Sequence, residues 1–199
     1  MLQTLRSTVT LCVFICMLTG HAVAQKTTFM VSDADGKPVR NAVVMVPGEG
    51  KLATKFTWPY DMKQQDMMFD PYVLIVPVGA EVKFPNFDKV RHHVYSFSKG
   101  NKFELKLFGK DETRSVTMQT AGTASLGCNI HDDMVAYIRV VDTPYAAKTD
   151  ADGKVVLDLP TGAKEATVWH PDARPGEMKV ALPAARTAPV AVTLKVSRR

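Results

Sequence analysis

The string Gly127-Cys128-Asn129-Ile130-His131-Asp132-Asp133-Met134 sets a thiol, an imidazole and a thioether three residues apart. Sulfur and imidazole nitrogen are soft to borderline donors, which suit copper and do not suit magnesium or calcium. Two histidines, one cysteine and a weak axial methionine make an electron-transfer copper site, so this string supplies three donors of four. Residues 84–94, with His92 and His93, offer the missing imidazole at the mouth of a neighbouring strand. Zinc is a poorer fit, because structural zinc sites use several cysteines and here one cysteine stands with a methionine. A nucleophilic Cys–His pair is the other chemistry open to these residues. His131 follows Cys128 by only three positions, and no Asn or Asp is singled out to orient it.

Taken singly, each residue has an ordinary use. A histidine at a strand end is usually surface or satisfied, a buried methionine is core, and Asp132 and Asp133 are loop-solvating carboxylates. His170 beside Trp169 reads as structural. Met62, Met67 and Met68 read as core gap-fillers. As a set with a lone cysteine, His92, Cys128, His131 and Met134 point to a metal.

The cysteine is alone because of where the chain starts. Arg6, the apolar run over residues 9–18 and Ala22-Val23-Ala24 have the layout of a signal peptide cleaved after Ala24. The run is too short to span a bilayer, which needs ~20 apolar residues. Cys12 and Cys16 would leave with it, so the exported chain keeps Cys128 alone of the three cysteines. In an oxidising compartment an unpaired cysteine is either a small buried hydrophobe or a thiolate that a metal holds. The expected compartment is the periplasm, with no membrane span after cleavage.

Of 199 residues, removal of 24 leaves 175, enough for one large domain or two small ones. The formal charge falls from +5 to +4, since Arg6 is the only charged residue lost. That mild basic excess suits solubility and a docking face for an acidic partner. No basic stripe with interleaved aromatics argues for nucleic acid.

The elements that must position these donors read as strands. Two-residue periods run through 28–32, 42–46, 72–76, 81–84, 93–97, 103–107, 115–118 and 136–141, with turns between them. Residues 61–68 are the exception and are expected to form one or two helical turns. Past Asp142 the Asp/Gly/Lys turn chemistry of residues 33–37 recurs at 150–154. Strands are expected at 155–159, 166–170, 178–182 and 190–196. Each end alone is too short for a sandwich. The expected domains are therefore 25–61 and 144–199 packed as one small β-sandwich, with 62–143 inserted between them; a plain sequential arrangement is the alternative.

The Cys-x-x-His-x-x-Met loop resembles that of the cupredoxins, with the short spacing of amicyanin. The run Phe84-Pro85-Asn86 through His92-His93-Val94 to Gly127-Cys128-Asn129-Ile130-His131 is similar to plastocyanin/azurin-like proteins often labelled methylamine utilization proteins. The flanks, with Asp35-Gly36-Lys37-Pro38-Val39 and Leu159-Pro160-Thr161-Gly162, look more weakly like a carboxypeptidase-regulatory sandwich. The resemblance implies an all-β fold: a cupredoxin Greek-key β-sandwich inserted in or joined to that small sandwich. It implies one copper ion on His92, Cys128, His131 and Met134, with His131 as the exposed electron port. It further implies one-electron transfer with a cytochrome or oxidoreductase partner and no substrate site. Copper trafficking or storage is the alternative, and recognition by the flanking sandwich a third. Two departures stand out. His93 and Asn129 occupy the places of an asparagine and a hydroxyl residue that usually bond each other, and are expected still to meet. Ile130 replaces a proline, freeing an N–H expected to reach the Cys128 sulfur.

Overall fold

The computed structural model describes residues 24–48 and 56–197. The expected export segment, apart from Ala24, lies outside the described residues. Sixteen strands and no helix are found among them.

The central sheet has five strands, ordered β5 (Val73–Pro77), β11 (Val135–Val141), β10 (Gly122–Cys128), β7 (His92–Ser96) and β8 (Phe103–Phe108). Opposite it run the pair β6 (Glu81–Pro85) and β9 (Thr113–Thr117) and the hairpin β3 (Lys63–Gln65) and β4 (Met68–Asp70). Alternation builds the interior: Val82 and Phe84 on β6, Val94 on β7 and Ala136, Ile138 and Val140 on β11 all point inward. β5 is buried along its whole length, as a strand covered on both faces must be.

Residues 61–68 are not helical. Asp66 and Met67 take φ of 57° and 55° and form a two-residue turn between β3 and β4. Left-handed backbone at two successive residues is the signature of a hairpin turn and cannot occur inside a helix.

Strands from the two ends of the chain pair with each other. β1 (Ala24–Asp33) lies between β13 (Lys154–Pro160), antiparallel, and β16 (Val190–Leu194), parallel. β2 (Val43–Val46) lies between β12 (Tyr145–Lys148) and β14 (Glu165–Trp169), with β15 (Glu177–Ala181) outermost. These two sheets share a second apolar core that includes Phe29, Val44, Leu159, Val168 and Leu194. A third cluster, with Val43, Met45, Val73, Ile75, Val141 and Trp169, joins β2 and β14 to β5 and β11. The site is thus mounted on a sheet buttressed from behind.

Candidate metal centre

β7 and β10 bring the first two donors together. Cys128 pairs with Val94 across the ladder. Val94 and His92 point to the same face of β7, two residues apart. Both His92 (0% exposed) and Cys128 (3%) are therefore interior. The chain then turns through residues 129–134 into β11, and the Met134 N–H donates to the His131 carbonyl at 3.1 Å. Cys128 is the one cysteine among the described residues, and it is free.

The Cys128 Sγ lies 3.9 Å from His92 Nδ1 and 3.7 Å from His131 Nδ1. The two rings are 5.0 Å apart, and the three donor atoms all fall within 4.8 Å of one another. Metal bonds of about 2.0–2.3 Å at tetrahedral angles separate donors by roughly 3.5 Å, so the spacing fits one metal ion. Among the described residues no other group of three such side chains converges this way. Met134 is buried in the same apolar cluster as Cys128. His131 is half-buried, the more open of the two imidazoles.

Asp88 decides which nitrogen of His92 faces the sulfur. Its Oδ2 sits 2.8 Å from His92 Nε2. A carboxylate only accepts, so Nε2 carries the proton and Nδ1 presents a lone pair to the cluster. The same carboxylate accepts the N–H groups of Asp66 and Met67, at 2.7 and 3.1 Å. Burial pushes the Asp88 carboxyl up. The His92 bond and the two backbone donors outweigh that and hold it below its ordinary value. Asn86, 1% exposed, fixes the loop beneath. It donates to the carbonyls of Val90 and Phe108 and accepts the Asp88 N–H at 2.8 Å.

Three expectations fail here. His93 does not meet Asn129: its Nε2 lies 2.8 Å from Glu104 Oε1 on β8, and Asn129 is exposed. A partner on the adjacent strand, in the plane of the sheet's outer face, is nearer than a loop residue. No backbone N–H bonds the Cys128 sulfur among the described residues, and Ile130 turns half of its surface to solvent. Met62 is buried, but Met67 and Met68 are 54% and 62% exposed, because the hairpin turn lifts them out of the core. Asp88 was not singled out as a positioning group by the sequence. Its signal was the spacing of four residues before His92.

No family model matches the chain, and no curated protein matches it. Among solved structures it is similar to a copper-containing nitrite reductase from Thermus scotoductus SA-01, 25% identical over 49% of this chain and 25% of that one, with a TM-score of 0.41. A reduced amicyanin mutant is 21% identical over 49% of this chain and 98% of that one, at 0.39. A second reduced amicyanin mutant is 23% identical with the same coverage, also at 0.39. The chain thus spans about a quarter of the reductase's length. The fold is all-β, and its strands bring His92, Cys128 and His131 together. No helix among the described residues is long and apolar enough to cross a membrane.

Proposed function

We propose that the chain is an exported copper protein that passes single electrons between partners, with His92, Cys128, His131 and Met134 as the ligands. One observation carries this: two imidazole Nδ1 atoms face one buried thiol sulfur at 3.9 and 3.7 Å. Copper bound there would supply a one-electron couple. The chain's own part is to keep the donors still. His92 is locked by Asp88 and buried, Cys128 is anchored in the β10–β7 ladder, and the turn after His131 is closed by its bond to Met134. Such fixed donors need little rearrangement when the charge changes. His131, the more open ring, is the port for a redox partner, and the compartment is the periplasm. The sandwich built from both chain ends serves as a second domain that carries the copper domain.

Voltammetry of the copper-loaded chain tests the role. A reversible one-electron couple that persists beside a Cu(I) chelator is expected. Release of copper to that chelator within seconds, without a reversible couple, would overturn electron transfer in favour of trafficking.

A further inference from the structure

Where the sandwich of the central sheet meets the strands from the chain ends, a cavity of about 380 Å³ opens. Leu74 and Ile75 of β5, Ala147 of β12, Pro71 and the ring of Trp58 form its apolar walls. None of the candidate metal donors lines it. The Trp58 ring is held in place. Its Nε1 donates to the Ile75 carbonyl at 2.8 Å, and it stacks on Phe56 with ring centroids 4.6 Å apart. A pre-formed cavity of ~300–1,000 Å³ at a domain interface, apolar with a few polar groups, is the ordinary setting of a small-ligand site.

Charges of both signs share this cavity: Asp61, Lys63 of β3, Asp70 of β4 and Lys148 of β12. Among the described residues no ion pair joins any of them to another. Lys148 is half-buried and spends one of its three donors on the Val73 carbonyl, at 2.6 Å. Burial holds its pKa down, the neighbouring Arg40 charge adds to this, and Asp70 opposes both without cancelling them. This ammonium therefore has donors to spare and too little negative charge beside it. A simple carboxylate in the cavity would answer Lys148 but crowd a second anion onto Asp70. A simple amine would do the reverse. A sugar would set its hydroxyl rim against walls that offer no hydrogen bonds. A molecule with both charges side by side on an apolar body meets every demand, and cavity and occupant are then each neutral overall. We propose that this cavity binds a free apolar α-amino acid, with its carboxylate on Lys148, its ammonium on Asp70 and its side chain against Trp58 and Leu74.

The test titrates L-phenylalanine into the metal-free chain from residue 25 and follows it by NMR. The comparison ligands are 3-phenylpropanoate, which lacks the ammonium, 2-phenylethylamine, which lacks the carboxylate, and glucose. Shifts are expected to gather on the Trp58 indole N–H, Leu74 and Ala147. Each phenyl analogue should bind about tenfold or more weakly, the cost of one lost charged hydrogen bond. Lys148→Met keeps the apolar stem and should erase the advantage of phenylalanine over 2-phenylethylamine. Asp70→Asn changes an exposed side chain, which leaves the fold intact, and should erase the advantage over 3-phenylpropanoate. Equal binding of the three phenyl compounds would overturn the proposal, as would glucose bound in place of phenylalanine. So would affinities that neither substitution alters, or no shift at the cavity with phenylalanine near its solubility limit. The metal-free protein keeps this outcome separate from whether the chain binds copper.

Discussion

Asp88 is the residue on which the geometry of the cluster turns, although it offers no donor to the metal. It sets the proton on His92 Nε2 and takes two N–H groups from the β3–β4 turn. Asp88→Asn brings amide hydrogens against those donors. It is expected to lower copper affinity about 10- to 100-fold, the usual cost of losing the outer partner of a ligand histidine, read by competition titration. Asn86→Ala removes three bonds from a buried polar site and should cost roughly 3 kcal/mol in chemical denaturation, because the carbonyls of Val90 and Phe108 lose their donor. At this scale the sequence was informative where donors share one loop. That Cys128 and His131 stand together could be read from spacing alone. The same spacing could not choose Asp88 over Asp132 or Asp133, since carboxylates are common in loops and only the fold shows which one reaches a ring. Nor could it foresee that His93 would bond Glu104, a residue of another strand.

At the scale of elements, the short hairpin at residues 63–70 holds the clearest disagreement. Of its turn residues Asp66 takes left-handed backbone readily, but Met67 is a poor hairpin former by type, and Gln-Gln-Asp-Met reads as helical chemistry. The turn persists because Asp88 satisfies both N–H groups. Left-handed backbone costs a non-glycine residue roughly 1–2 kcal/mol. Replacing Asp66-Met67 by Asn-Gly should therefore raise the denaturation midpoint, by about 1 kcal/mol in stability, and leave copper binding unchanged. β10 was harder to see as a strand for another reason. Its sequence, Gly122–Cys128, is built of small residues, and Gly127 is needed so that Tyr95 can lie across it. The apolar alternation of β6 and β11, by contrast, was plain in the sequence, because bulky side chains fill that interior.

For the whole molecule, the question is how the copper-bearing sheet is tied to the strands from the chain ends. Arg139 on β11 spans the junction. It pairs with Glu177 at 2.6 Å, donates to Met45 Sδ and Thr123 Oγ1, and lies 5.5 Å from the Trp169 ring centroid. Arg139→Ala should cost about 2–3 kcal/mol and split unfolding into two transitions, seen by comparing the copper band with tryptophan fluorescence. His170, 7% exposed, gives the molecule a pH dependence. Burial lowers its pKa, against the pull of Asp172 and a bond to the Arg40 backbone. The folded state therefore favours the neutral ring, and its stabilisation is complete above the ordinary histidine pKa of about 6.5. It is lost as the pH falls, because the unfolded chain takes up the proton first. The difference in stability between the wild type and His170→Gln should shrink as the pH goes from 7 to 5. That each chain end is too short to form a sandwich by itself was legible in the sequence, but the register of their strands was not, since β1 meets β16 in parallel through contacts that no local pattern encodes. The central claim is that one sulfur and two imidazoles hold copper. The measurement that meets it most directly is the visible spectrum of the chain from residue 25 on addition of Cu(II), beside that of Cys128→Ser. An intense thiolate-to-copper band present in the first and absent in the second is the expected result. A colourless wild type that takes up zinc but not copper would contradict it.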